Sequence, residues 1–180
     1  MQKSTRKVAF CGIVTGLAIV SMFLGGLIPF AEYTFPAISG ILFVAIVIEY
    51  SKKTAFIAYA AVSLLSIFLA PNKEMVVIFI GFLGYYPIVK SYFETTKSRV
   101  TEWVLKMISF NIAVIISYVI AINLFGMKEL LSDMQNFMKY GIIALLALAN
   151  VVFVIYDIAL TRLIAYYINV LRPKVHIKGK

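Results

Sequence analysis

Along this chain, long uncharged apolar runs alternate with short polar breaks. The first run, "KVAFCGIVTGLAIVSMFLGGLIPF" from Lys7 to Phe30, carries no charge after Lys7. Charges, prolines and run lengths together predict six helices. The first extends from about Val8 to Ile28 and stops at Pro29, and the second from about Ala37 to Tyr50. The third runs from Thr54 to Ala70, before "PNKE" with Pro71 as breaker. The fourth covers Met75 to about Tyr92, and Pro87 should kink it near "GYYP". The fifth is Trp103 to Phe125, and the sixth Tyr140 to about Leu171, ended by Pro173. Several runs approach or exceed the roughly 20 residues that cross a hydrocarbon core. The second and third are shorter, which predicts tilted or partly buried helices there.

Composition turns helices into membrane helices. Of 180 residues, 62% are hydrophobic and only 14% charged, more apolar surface than a water-exposed domain of this size can hide. The reading is therefore an all-α integral membrane protein, a single six-helix bundle over residues 1–180. The basic N-terminus leads into an apolar run too long for a signal peptide core and lacking a small-residue cleavage site, so it reads as a retained first helix.

The distribution of charge then gives a direction. With the N-terminus cytoplasmic, six crossings leave only Lys73, Lys128 and Lys139 outside, while the other 14 of the 17 basic residues fall inside. The positive-inside rule thus predicts a multi-pass protein of the cell membrane with both termini cytoplasmic and with Glu32, Lys73 and Asp133 outside. The net charge of +9 is accounted for by orientation and by contact with anionic membrane lipid. Nucleic acid is not an expected partner, because no basic patch is interleaved with stacking aromatics.

The chemistry that is missing is informative. No phosphate-binding G-x-x-x-x-G-K-[ST] loop is present, so the chain has no ATPase of its own. The single cysteine, Cys11, and the single histidine, His176, leave no cofactor or metal expected and no His-based catalytic pair in the helices. No pair of aspartates sits in the helix interiors either, and the protein reads as a non-enzyme. Glu49, Lys90, Asp157 and Arg162 all lie past the midplane toward the cytoplasm. They are expected to pair across helices or snorkel, with Asp157 sharing a face with Thr161 rather than Arg162. Asn111, Ser117, Tyr118, Asn123 and Asn150 are the few polar groups inside the last two helices. They suit interhelical hydrogen bonding, and Asn123 and Asn150 in the outer halves also suit a cavity wall.

The first helix also carries small residues in register. Ala9, Gly12 and Gly16 form a strip that lets a facing backbone approach closely, and that backbone belongs either to this chain or to a larger membrane subunit. The segments "AFCGIVTGLA" and "GLIPFAEYTFP", set in six short helices with both ends cytoplasmic, resemble the substrate-binding S components of energy-coupling factor (ECF) transporters. The resemblance covers almost the whole chain. It implies a vitamin-like small-molecule substrate captured from outside, a transmembrane coupling subunit docked on the small-residue strip, and separate ATPase subunits that supply the energy. The alternative is a non-catalytic membrane scaffold of the MreD-like kind.

A solute entering from outside requires polar groups where a cavity admits them. The candidates are Glu32, Tyr33 and Phe35 in the first loop, Asn72 and Lys73 after the third helix, and Asn123 and Asn150 in the last two. They predict a pocket that opens outward, lidded by the first loop and floored by Asn123 and Asn150. Tyr33 and Phe35 are suited to stack on a flat heterocycle.

Overall fold

The computed structural model describes residues 2–28, 31–96, 98–123 and 139–173, with the side chains of 2–4 and 139–142 left aside. Pro29, Phe125, Lys128, Asp133 and His176, invoked above, lie outside the described residues. The fold is all-α, with no strand among the described residues. Among the described residues, five helices are long and apolar enough to cross a membrane: Thr5–Gly25, Lys52–Leu69, Lys73–Phe93, Arg99–Asn123 and Ile143–Leu171. The chain divides into two compact units, Met1–Asp133 and Met134–Lys180.

In the first unit, α1 spans Gln2–Gly25 and α2 spans Thr34–Glu49. At 16 residues α2 is about 24 Å long, short of the roughly 30 Å hydrocarbon core, as expected for the second helix. α3, Lys52–Leu69, is long enough to cross and so differs from the expectation of a short third helix. Its start is fixed by Ser51, whose Oγ accepts the Thr54 amide at 3.2 Å as an N-cap.

The fourth segment departs most from its sequence reading. It consists of α4 (Lys73–Ile78), a π turn (Phe79–Leu83) and α5 (Tyr86–Phe93). Pro87 sits at the start of α5, where a missing N–H costs little, so the irregularity lies upstream of it. In the π turn the Gly84 amide bonds the Phe79 carbonyl at 2.8 Å. Ile80 oxygen, the acceptor that an α-helix would give Gly84, instead accepts the Tyr59 hydroxyl at 2.7 Å. α6 (Arg99–Asn123) completes the unit as described.

The core lies where α1, α2, α3 and α4 meet, around Val14, Ala18, Met22, Phe43, Ile46, Val62, Met75, Val76 and Phe79. Close approach there depends on two glycines. A Cβ at Gly40 of α2 would land on the Leu83 carbonyl oxygen, and one at Gly81 would land on Ser117 Oγ of α6. Three contacts fix α3 antiparallel to the fourth segment. Lys73 Nζ donates to Ala70 oxygen, the Tyr59 ring lies against Gly84, and Lys52 Nζ donates to Ser91 oxygen.

The second unit contains α7, Lys139–Tyr166, continued by a π turn, Tyr167–Leu171. Within it the Thr161 hydroxyl donates to the Asp157 carbonyl at 2.9 Å, the one-face relation expected for that pair.

Candidate functional site

Two ends of the first unit and one face of α1 hold its polar and small-residue features. At the first end, α1 closes in a tight turn, with Gly26 N–H bonding Phe23 oxygen and Leu27 N–H bonding Leu24 oxygen. The loop that follows lies on the α3–α4 connection: a Cβ at Gly25 would meet Phe35 at 2.5 Å and Met75 sulfur at 2.8 Å, and one at Gly26 would meet Pro71. Asn72 Nδ2 donates to Glu32 Oε1 at 2.8 Å, while Asn72 Oδ1 caps α4 by accepting the Met75 amide at 3.1 Å. Glu32 and Asn72, 40 residues apart in sequence, are thus brought together as one candidate pair.

The remaining candidates are placed differently. Lys73 turns back to the end of α3, where its ammonium donates to Ile67 oxygen at 2.7 Å and Ala70 oxygen at 3.1 Å. Phe35 packs inward on Gly25, and its carbonyl accepts Ser21 Oγ–H at 3.2 Å. Tyr33, 66% exposed, is the loop aromatic left facing outward. Asn123 ends α6 on an exposed face and donates to Val119 oxygen at 2.9 Å. Asn150 belongs to α7 in the second unit, where its amide donates to Leu146 oxygen at 2.8 Å. Both asparagines bond the carbonyl one turn back on their own helix, as does Asn111 with Met107 oxygen.

The second end is ionic. Lys90 is fully buried and bridges Glu94 at 2.8 Å. Lys106 of α6 bridges Glu102 at 2.7 Å, reaches toward Glu94 at 3.8 Å and lies over the Trp103 ring. Lys52 sits 3.8 Å from the Tyr92 ring centroid. The Lys90–Glu94 bridge runs one turn along its own chain, and Lys106 to Glu94 links α6 to the end of α5. Glu94, Glu102, Lys106 and Lys52 were all missed in the sequence, although the Glu102–Lys106 spacing of four is legible there as a helical ion pair.

α1 buries Val14, Ala18, Ser21 and Met22 and turns Ala9, Gly12, Ile13, Leu17 and Val20 outward, with Gly16 half exposed. Within its own unit, no described atom lies within 4 Å of a Cβ built at Gly12 or Gly16. The strip is therefore open along the first unit. Among the described residues no group of acidic, histidine or cysteine side chains has the makings of a metal site. Comparison of the chain with family models, with curated proteins and with solved structures gives no match.

Proposed function

We propose that this chain is the substrate-capture subunit of a vitamin or micronutrient importer of the ECF type, energised by separate coupling and ATPase subunits and itself catalysing no reaction. The observation that carries this reading is the open Ala9–Gly12–Gly16 strip. In lipid, an unfilled small-residue face is where another helix backbone gains its packing contacts. In this reading both termini are cytoplasmic, the Glu32–Asn72 end faces outward and the Lys90–Lys106 end faces the cytoplasm, where the basic residues concentrate.

The test is affinity purification of the chain from its native membrane in mild detergent, with mass spectrometry of co-purifying subunits and of small molecules released on denaturation. A membrane subunit with ATPases and a released heterocycle are expected. Absence of both ends the proposal. Orientation is checked in intact cells by single cysteines at positions 32, 73 and 178 on a Cys11→Ser background. A membrane-impermeant thiol reagent should label the first two and not the third.

A second reading, the MreD-like scaffold, is favoured by the Glu32–Asn72 bond and the Lys73 cap. These polar groups hold loops and helix ends together, a use that needs no ligand. Co-purifying partners without any released small molecule select it.

A further inference from the structure

The buried serines of the first unit fall into two groups. Ser39 Oγ–H donates to Ala18 oxygen at 3.1 Å and Ser21 to Phe35 oxygen, as the half-buried Ser91 does to Ile88 oxygen on its own helix at 2.6 Å. Ser63 and Ser66 of α3, only 8% and 1% exposed, have no hydrogen-bond partner among the described residues. Ser63 Oγ lies beside the Tyr59 hydroxyl but without the geometry of a bond, and the Tyr59 proton is already directed to Ile80 oxygen. A helical serine ordinarily finds the carbonyl one turn back. Two buried serines that do not, three residues apart, form a feature that native interiors rarely keep without a use.

Their placement suggests the use. Tyr59, Ser63, Ser66 and Ala70 succeed one another at four, three and four residues and so share one face of α3. Both ends of that face meet the fourth segment, through Tyr59 at Ile80 and the Ala70 carbonyl at Lys73. The register puts Ser63 level with Ile80 and Ser66 level with Val77. From Ala70, beside the Glu32–Asn72 pair, Ser66 is about 6 Å and Ser63 about 10 Å farther into the helix bundle. The intervening residue of α4 is Met75, fully buried, whose flexible thioether can repack without a fixed shape to lose. Near Ser63 the walls are aromatic: the Tyr59 ring lies 5.8 Å from Phe79 and 6.4 Å from Phe43. No charged residue occupies α3 between Lys53 and its end.

We propose that Ser63 and Ser66 are the polar wall of the capture site, reached from the Glu32–Asn72 end past Met75. The site takes an uncharged, flat heteroaromatic compound with two hydrogen-bonding groups on one edge, spaced about 5 Å as the two serines are. Hydroxyls both donate and accept, so amino and oxo groups fit equally. The inference rests on the capture reading and moves its site from Asn123 and Asn150 to α3.

The test uses the full chain in lipid nanodiscs, as wild type, Ser63→Ala, Ser66→Ala and the near-isosteric Ser63→Cys and Ser66→Cys. Two quantities are measured: the heteroaromatic compound released on denaturation, by absorbance and mass, and the Tm of the ligand-stripped protein. Wild type should release such a compound. Each variant should release at least tenfold less while its stripped Tm stays level or rises, because the exchange removes a hydroxyl that had no partner. A compound released in equal amounts by wild type and variants overturns this site and leaves the capture function standing. A stripped Tm lowered in both the alanine and the cysteine variants overturns it as well, since the hydroxyls would then be structural. A wild type that releases no heteroaromatic compound overturns both.

Discussion

Gly12 and Gly16 of α1 and the glycines of the α2–π turn crossing have opposite surroundings. Within the first unit, no described atom occupies the space where a side chain at Gly12 or Gly16 would go, whereas Gly40 and Gly81 are pressed against Leu83 oxygen and Ser117 Oγ. A small residue in a membrane helix therefore has two separate uses. One lets the chain fold onto itself, and the other, in the proposed reading, leaves a face for a partner. Spacing does not distinguish them, because Gly12–Gly16 is the better-formed small-xxx-small pair and is the one left unfilled within the first unit.

Substitutions sharpen this contrast, and the largest effect is expected at Gly40. Gly40→Ala drives a methyl into backbone rather than into a movable side chain, and should destabilise the protein by at least about 3 kcal/mol. Denaturation in detergent, or loss of the monodisperse peak at normal expression, would reveal it. A well-folded Gly40→Ala protein would mean that the α2–π turn approach is looser than described.

Next in size is Asn72→Ala, which removes an N-cap and the partner of Glu32 together. A loss of about 1–2 kcal/mol is expected, with proteolysis first appearing in the loop between α1 and α2. Gly81→Ala meets the Ser117 side chain, its hydroxyl first and its Cβ at 2.9 Å, and should cost about 1 kcal/mol. Pairing it with Ser117→Ala removes the hydroxyl and should recover part of that, and the double-mutant cycle measures the coupling. Recovery would place the conflict at Ser117 Oγ. Failure to recover would place it at Ser117 Cβ or the backbone.

Gly12→Leu with Gly16→Leu is expected to change stability least, within about 0.5 kcal/mol, because both leucines enter open space. Its effect should fall on association, with co-purification of the membrane partner lost while folding persists. An unfolded double variant would show that the strip is filled from within the chain.

The apolar runs made the helices legible, since run length and charge placement are local properties. α1 and α2 each begin a few residues before their expected starts, because a helix extends through flanking residues that hydropathy does not mark. The π turn was not legible. It depends on Tyr59, 21 residues earlier, supplying a bond that the helix no longer makes. Glu32 and Asn72 were both chosen from their positions near one membrane face, but nothing local says that they touch. Nothing local says that the Lys73 ammonium turns back to the Ile67 and Ala70 oxygens at the end of α3. Ser63 and Ser66 were overlooked because a serine in a helix ordinarily bonds its own backbone. Only coordinates show that these two do not.

The π turn also has an arithmetic consequence. It holds one residue more than an α-helix would need over the same rise, so everything after it is rotated by about 100° relative to an uninterrupted helix. α5 follows after Gly84 and Tyr85, and Lys90 on it is buried at zero exposure. A chain one residue shorter between Phe79 and Leu83 would have a straighter helix and would aim that ammonium about a quarter turn elsewhere. The inserted residue works as an angular setting, and its position in the sequence decides which way the charged end of the segment faces.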